Sequence, residues 1–501
     1  MNKRHSQRTL AATIIGSMTL ASLTAVQTVH ANERATPRLG FTPITSNALP
    51  CSANGLIQFA NDPKGNPLVP TVLMNAGEPA TPLNAPATST KVGRVNDMIA
   101  LSADGKYLFT ASENGIPTEN GIGAAGSDGI TRLTLKGKYA GDKVILADNV
   151  DAAGNALWQR IDGMKWYPFG GSTAKHDGSE EDDAAGILLA SEEFGAGGIW
   201  QIDPVTGAFV RLDWLGNYSH EGIGIDASGN LYLADEARGG AIYKAVPADA
   251  NDLTKGGALY YMVSTTVDAS GWKLVNVAAN ASSEASTGGA ILFDRPEDID
   301  EANGRIYVAV TEPAVEAATH HGTAGQVVNR GGVYSFSATG VPEQAVQSGL
   351  LPYTALAPMI EVQDPHYASV GQAQAQQGLQ FPDNLAFDGY GHLWVHEDIP
   401  DSSSLALPAT GFDVSKQVRN QQDELYVFVL NEAGDAIVPN PDTTGPGESG
   451  GYKAADMRTS PGAAGHPCEN EFTGGIFAKD GKTLYINQQH YDNPTEKVRI
   501  R

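Results

Sequence analysis

Three segments of the sequence share one plan. Each has an acid, a short apolar run, an Asp/Gly/Asn turn, a second apolar run and a second acid: Glu221 to Glu236, Glu297 to Glu312 and Asp383 to Asp398. Fifteen residues separate the acids in each. Two looser copies run from Asp97 to Glu113 and from Glu471 to Gln488, and a sixth is split between Asp162 and the pair Glu192-Glu193. One isolated acid reads as a turn cap or a solvated charge. The same placement in unit after unit reads as a cation site. Carboxylates sharing a small volume raise one another's pKa, and a hard cation such as Ca²⁺ relieves that repulsion with oxygen ligands in a flexible geometry.

The elements that must position these acids are β-hairpins. Each unit carries an aromatic in its second apolar run: Tyr232, Tyr307 and Trp394 in the clearest copies. Third apolar runs follow at Gly198-Ile199-Trp200, Ala241-Ile242-Tyr243, Gly332-Val333-Tyr334 and Leu425-Tyr426-Val427. Long amphipathic periods are scarce, and 57 Gly and 28 Pro punctuate the chain. The pattern predicts an all-β fold, a six-bladed β-propeller with long loop insertions at 170–184, 313–331 and 338–380. In an antiparallel hairpin the start of strand one and the end of strand two share an edge. With the first strand innermost, the acids should gather at one mouth of the channel. The candidates are Asp97, Glu113, Asp162, Glu192, Glu193, Glu221, Glu236, Glu297, Glu312, Asp383, Glu397, Asp398 and Glu471. The acidic run at 176–183 reads as a solvated loop.

Lys3, Arg4 and Arg8 precede an apolar stretch from Leu10 to about Val26, and Val29-His30-Ala31 offers small residues for a signal peptidase. The reading is a secretory signal over residues 1–31, a single propeller domain over 32–501, and a periplasmic or secreted protein without a membrane anchor. The formal net charge of −24 becomes more negative once that leader is removed. Such a surface disfavours nucleic acid and anionic lipid as partners and attracts cations. Cys51 and Cys468, the two cysteines of the chain, either pair in an oxidising compartment, tying the first structured segment to the last repeat, or stay as separate thiols.

At this point the chain resembles the PhoX-type alkaline phosphatases, extracytoplasmic metal-dependent phosphatases of bacteria. The resemblance runs from Leu39-Gly40-Phe41-Thr42-Pro43 to Asn493-Pro494. Its more specific blocks are Asn96-Asp97, Ser191-Glu192-Glu193, Ser219-His220-Glu221-Gly222, Arg295-Pro296-Glu297-Asp298, Pro382-Asp383-Asn384-Leu385, Glu471-Phe472-Thr473-Gly474 and Asn487-Gln488-Gln489-His490. It implies a six-bladed propeller with calcium and iron at its mouth, hydrolysing small phosphate esters, here expected as a monomer. It implies Glu192, Glu193, Glu221, Glu297 and Glu471 as metal ligands and Arg295 as the residue that holds the substrate phosphate. Arg295 and Glu297 are thus the expected catalytic pair, and Asp97, Glu113, Asp383 and Asp398 extend the metal set. The chain departs from the family twice. Ser191 stands where the family has a cysteine whose thiolate ligates iron, and a hydroxyl stays protonated where a thiol ionises; calcium is therefore the expected cofactor and Fe³⁺ is in doubt. Lys3-Arg4-His5-Ser6-Gln7-Arg8 also lacks adjacent arginines, which leaves the export route open.

Two other readings fit the architecture: a calcium-dependent lactonase or esterase, and a metal-stabilised binding propeller without catalysis. No Walker loop, dinucleotide fingerprint or His-x-x-x-His pattern competes. His320-His321 reads as a solvated pair. His220, His396 and His490 adjoin ring positions, where they either orient a carboxylate or serve the fold. Trp158 and Trp166 are expected to pack between blades.

Overall fold

In the computed structural model the described residues are those from 39 to 500, apart from 45–57, 84–89, 94–95, 113–128, 148–156, 171–185, 265–269, 312–330, 339–358, 362–378, 380, 399–423, 433, 437–450, 457–470 and 490–493. They form six sheets of four to six strands, antiparallel except where Thr81–Pro82 pairs in parallel with Lys143–Ala147. The innermost strands are Asn96–Leu101, Ile161–Tyr167, His220–Ile225, Pro296–Ala302, Pro382–Phe387 and Glu471–Phe477. They define blades I to VI. Each packs against the next, and that of blade VI packs against that of blade I, so the ring is closed. This is the expected propeller. One eight-residue helix, Ala281–Gly288, decorates blade III.

Period-two alternation explains why blades stack. In the second strand of blade III, Leu231 and Leu233 face blade II, while Tyr232 and Ala234 face blade IV. A strand buried on both faces has no solvent side, so both registers must be apolar. The outcome is six apolar clusters, one in each gap between neighbouring blades. Tyr232, Tyr307 and Trp394 are fully buried in them. Trp158 lies in the cluster between blades I and II, and Trp166 stacks on Phe109 there.

The turns are built by their aspartates. Asp226 accepts from the N–H groups of Ser228 and Asn230 at 2.9 and 3.0 Å, and from the Asn230 amide at 2.8 Å. Asp388 does the same with Tyr390, His392 and the His392 ring at 2.8, 3.0 and 2.9 Å. Side-chain oxygens that satisfy turn N–H groups fix the hairpin register.

The last two blades are completed by strands from the start of the chain. Thr71–Asn75 pairs with Pro494–Arg499 at the rim of blade VI, and Gln58–Phe59 pairs with Tyr452–Asp456 in blade V. Cys51 and Cys468, flanking these junctions in sequence, lie outside the described residues, as do Glu113, Glu312, His320, His321 and His490. No helix among the described residues is long and apolar enough to cross a membrane.

Candidate metal centre

Every innermost strand carries a β-bulge near its start. The register to the second strand breaks after Asn96, Ile161, His220, Pro296, Pro382 and Thr473. A bulge places two residues opposite one and re-aims the first of them. The residues at that point are Asp97, Asp162, Glu221, Glu297, Asp383 and Gly474. Five blades thus present a buried carboxylate at one level of the ring.

In blade VI the level is held by Gly474, three residues past Glu471. Glu471 opens its strand opposite Gln489, so counting along the sequence put it three positions before the level of the other ring acids. Gly474 has a left-handed φ of 52° and lies against the backbone of Asp97 and Ile99, with no room for a Cβ.

The ends of the second strands divide by alternation. Ser112, Glu192, Asp235, Val310, Glu397 and Asn487 oppose the residue before each bulge. The next residues are Glu113, Glu193, Glu236, Thr311, Asp398 and Gln488. In the hairpin of blade IV the residue at that position is Thr311. Its hydroxyl donates to Glu297 Oε1 at 2.6 Å and approaches the Pro382 carbonyl oxygen at 3.1 Å.

Alternation also separates Glu192 from Glu193, which the family resemblance had grouped as ligands. Glu192 turns away and accepts from the N–H groups of Gln159 and Gly198 and from Trp200 Nε1, at 2.9, 3.0 and 3.0 Å. It serves the fold there, and the described metal-capable groups do not contain it. Glu193 faces the ring.

Two trios of buried carboxylates could each hold a cation: Asp162, Glu193 and Glu221, and Glu221, Glu297 and Asp383. Within each trio one oxygen from every residue lies within 4.8 Å of the others. Glu221 belongs to both. Its side chain is 3% exposed and its Oε2 has no hydrogen-bond partner among the described residues. Buried polar oxygens are normally satisfied, and an all-oxygen anionic set suits Ca²⁺. The donors present therefore fit a hard divalent cation. Asp97 and Asp398 lie outside both trios; Asp97 is buried, and Asp398 pairs with Arg295.

Without cations the trios repel. Burial, then Asp162 and Glu297, push the Glu221 carboxyl well above its usual range. Burial also raises Glu297 strongly, against the pull of Arg295. Burial and the adjacent Glu236, whose carboxyl shares a hydrogen bond with that of Glu193, raise Glu193. For Glu236, burial is outweighed by Arg295, that hydrogen bond and Arg160, which hold it below the usual range.

Arg295 is gripped by three acids: Nε to Glu236 Oε1 at 2.8 Å, Nη2 to Glu297 Oε1 at 3.0 Å and Nη1 to Asp398 Oδ2 at 3.2 Å. Arg160 pairs through Nη2 with Glu193 Oε2. Sequence reasoning passed over Arg160, although it precedes Ile161-Asp162 as Arg295 precedes Pro296-Glu297. Ser191 does not reach toward a cation; its hydroxyl donates to the backbone carbonyl of Glu221 at 2.8 Å and latches blade II to blade III. His220 and His396 are buried neutral imidazoles, each pushed down to about 3 by burial. His220 bonds the Gly216 carbonyl at 3.2 Å, a fold contact.

A family model described as alkaline phosphatase PhoX matches residues 172–492, more than half of the chain. No curated protein matches. Among solved structures, Pseudomonas fluorescens PhoX in complex with vanadate, a transition state analogue, is 17% identical with a TM-score of 0.53, over 92% of this chain and 98% of that one. That likeness bears out the propeller fold. Regucalcin, a calcium-binding protein from Agrobacterium tumefaciens, is 11% identical with a TM-score of 0.36, over 85% of this chain and 97% of that one. A gluconolactonase from Xanthomonas campestris is 13% identical with a TM-score of 0.29, over 63% of this chain and 82% of that one. Both are too distant to inform the chemistry.

Proposed function

Since the chain belongs to the PhoX family of alkaline phosphatases and is by that membership a phosphoric-ester hydrolase, we propose that it cleaves small phosphate esters with divalent cations, calcium foremost, held at the mouth of its propeller, and that it works outside the cytoplasm. The observation that carries the metal reading is the pair of buried carboxylate trios joined at Glu221. The leader with Lys3, Arg4, Arg8 and the apolar stretch after them supports export.

Asp162, Glu193 and Glu221 would hold one cation, and Glu221, Glu297 and Asp383 a second. When bound, such cations polarise phosphoryl oxygens and ease deprotonation of an attacking water. The chain's own residues do the rest. Arg295 offers its planar fork to phosphate oxygens, and Glu236, Glu297 and Asp398 fix the plane of that fork before substrate arrives. Preorganised charge stabilises a transition state without reorganisation at the moment of reaction. Thr311 holds the Glu297 carboxylate at 2.6 Å. Ser191, committed to the Glu221 carbonyl, supports calcium without iron at this centre.

The test offers purified protein, with Ca²⁺ and with chelator, an aryl phosphate, an aryl ester and a lactone. Turnover of the phosphate alone, abolished on chelation and reduced at least a hundredfold in folded Arg295→Ala and Glu297→Ala proteins, is the expected outcome. Ester or lactone turnover without phosphate turnover would reject the reading.

A further inference from the structure

The residue two positions before the ring level is equivalent in blades II to VI: Arg160, Ser219, Arg295, Phe381 and Phe472. Backbone hydrogen bonds fix the equivalence for four of them. The N–H groups of Glu193, Glu236, Thr311 and Asp398 donate to the carbonyls of Arg160, Ser219, Arg295 and Phe381 at 2.9, 2.9, 3.0 and 2.9 Å. Arg160, Arg295 and Phe381 share a left-handed backbone, with φ of 42°, 53° and 42°. That conformation costs a non-glycine residue on the order of 1–2 kcal/mol. Because Phe381 shares it, the bend belongs to the blade entry and not to arginine.

What varies is the side chain. In blades V and VI it is a buried aromatic that joins the core. In blades II and IV it is an arginine, 30% and 21% exposed, directed to the ring acids. The two arginines are also tied to one another. Arg160 pairs with Glu193, the neighbouring Glu193 and Glu236 carboxyl groups share a hydrogen bond, and Glu236 accepts from Arg295 Nε. Two guanidiniums therefore sit at the two ends of one pair of acidic side chains, beside the trios that share Glu221.

The geometry points to Arg160 as a second phosphate-binding residue, so that the phosphoryl group of the substrate is held between Arg160 and Arg295 above the carboxylate trios. The inference rests on the phosphatase reading and adds a residue to it. An anion entering a mouth lined by Asp162, Glu193, Glu221, Glu236, Glu297 and Asp383 needs positive charge on more than one side. Guanidinium is the side chain that binds phosphate oxygens in pairs and remains charged at alkaline pH.

Steady-state hydrolysis of an aryl phosphate, competitive inhibition by inorganic phosphate, and bound-metal content are measured for wild type, Arg160→Ala and Arg160→Lys. Removing one charge-assisted hydrogen-bonding partner of a phosphate weakens binding roughly tenfold to a hundredfold. KM and the inhibition constant for phosphate should rise together by that factor in Arg160→Ala. Metal content should be unchanged, Arg160→Lys should fall between, and millimolar methylguanidinium should restore part of the affinity. Arg160→Gln, closer in volume, replaces the alanine variant if that one fails to fold. Folded variants with both constants within twofold of wild type would overturn the inference. So would altered metal content with an unaltered phosphate constant, since Arg160 would then only balance Glu193. If wild type itself turns over no phosphate ester, the phosphatase reading fails, while calorimetric binding of inorganic phosphate to wild type and variant still decides the role of Arg160.

Discussion

Replacing Glu221 with glutamine should change the sign of its effect on stability according to whether cations are present. Glu221 belongs to both trios, so the variant removes one charged ligand from each of two sites. A site held at a hundred times its dissociation constant adds about 2.7 kcal/mol to folding, and two such sites about 5 kcal/mol. At roughly 2 cal/mol/K of unfolding entropy per residue, a chain of this size melts about one degree lower for each kcal/mol removed. With saturating Ca²⁺, Glu221→Gln should thus melt about 5 °C below wild type. Asp162→Asn and Asp383→Asn, each touching one trio, should melt about half as far below. In chelator the order should invert. Two ionised carboxylates no more than 4.8 Å apart repel by about 3.5 kcal/mol or more at an effective dielectric of 20, and the glutamine variant escapes that. The folded Glu221 carboxyl titrates well above its usual value, burial being the first cause. Its cost is therefore absent below the ordinary carboxyl range and grows as pH rises through the folded value. The advantage of glutamine should vanish near pH 4 and grow as the pH is raised above the ordinary carboxyl range. Scanning calorimetry with and without chelator, with equilibrium dialysis to count bound metal, reads all of this. Destabilisation of the same size in both conditions would refute a shared cation ligand. So would single-trio variants that are each destabilised as much as Glu221→Gln.

Two further predictions concern the surroundings of the trios. Asp235, behind Glu236, is raised to about 7 chiefly by burial, despite hydrogen bonds from Ser282, Ser219 and Ala237. A raised carboxyl takes stability away as pH climbs from about 4 to about 7, here on the order of 4 kcal/mol; Asp235→Asn should match wild type at pH 4 and melt several degrees higher at pH 8, and parallel melting curves across that range would contradict it. Thr311→Val removes the hydroxyl that donates to Glu297 at 2.6 Å; kcat/KM for an aryl phosphate should fall about tenfold with bound metal retained, and an unchanged value would mean that Glu297 is held in place without it.

Most of the fold was legible because the hairpin code is local. An aspartate followed by glycine and asparagine satisfies its own turn, as Asp226 does and as Asp388 does with histidine in the asparagine's place, and an aromatic mid-strand has to be buried between blades. The ring level was legible in five blades for the same reason. What counting missed was caused by bulges and by alternation. The bulge inserts a residue without a partner, so an acid's distance from the turn does not fix its facing. Blade VI places its break after Thr473, and the acid-bearing position becomes glycine. Blade IV is one residue shorter between bulge and strand end than blades III and V, and Thr311 takes the place expected of Glu312. Adjacent strand residues face opposite ways, which splits Glu192 from Glu193. Arg160 was missed because acids, not their neighbours, defined the repeat.

The sixth position matters to the mechanism because it breaks the symmetry of the ring. Five carboxylates and a glycine at one level do not repel equally in all directions. The metal-capable trios span blades II to V, and both arginines, in blades II and IV, lie on that same arc. Gly474 lets blade VI close tightly on the Asp97 backbone, where Asn487 Nδ2 donates to the Asp97 carbonyl at 2.5 Å and Thr473 Oγ1 to that of Asn96 at 3.1 Å. The closing seam of the propeller is thus held by neutral hydrogen bonds, which tolerate close packing better than paired carboxylates would. Acids that need cations are concentrated on the opposite arc. Cation binding is then coupled to the arc that carries both arginines without being required to hold the closure of the ring, so on the proposed function chelation should abolish turnover at temperatures where the propeller remains folded. Disappearance of the near-ultraviolet circular dichroism at the same chelator concentration that ends activity, at 25 °C, would show that the two arcs are not separable in this way.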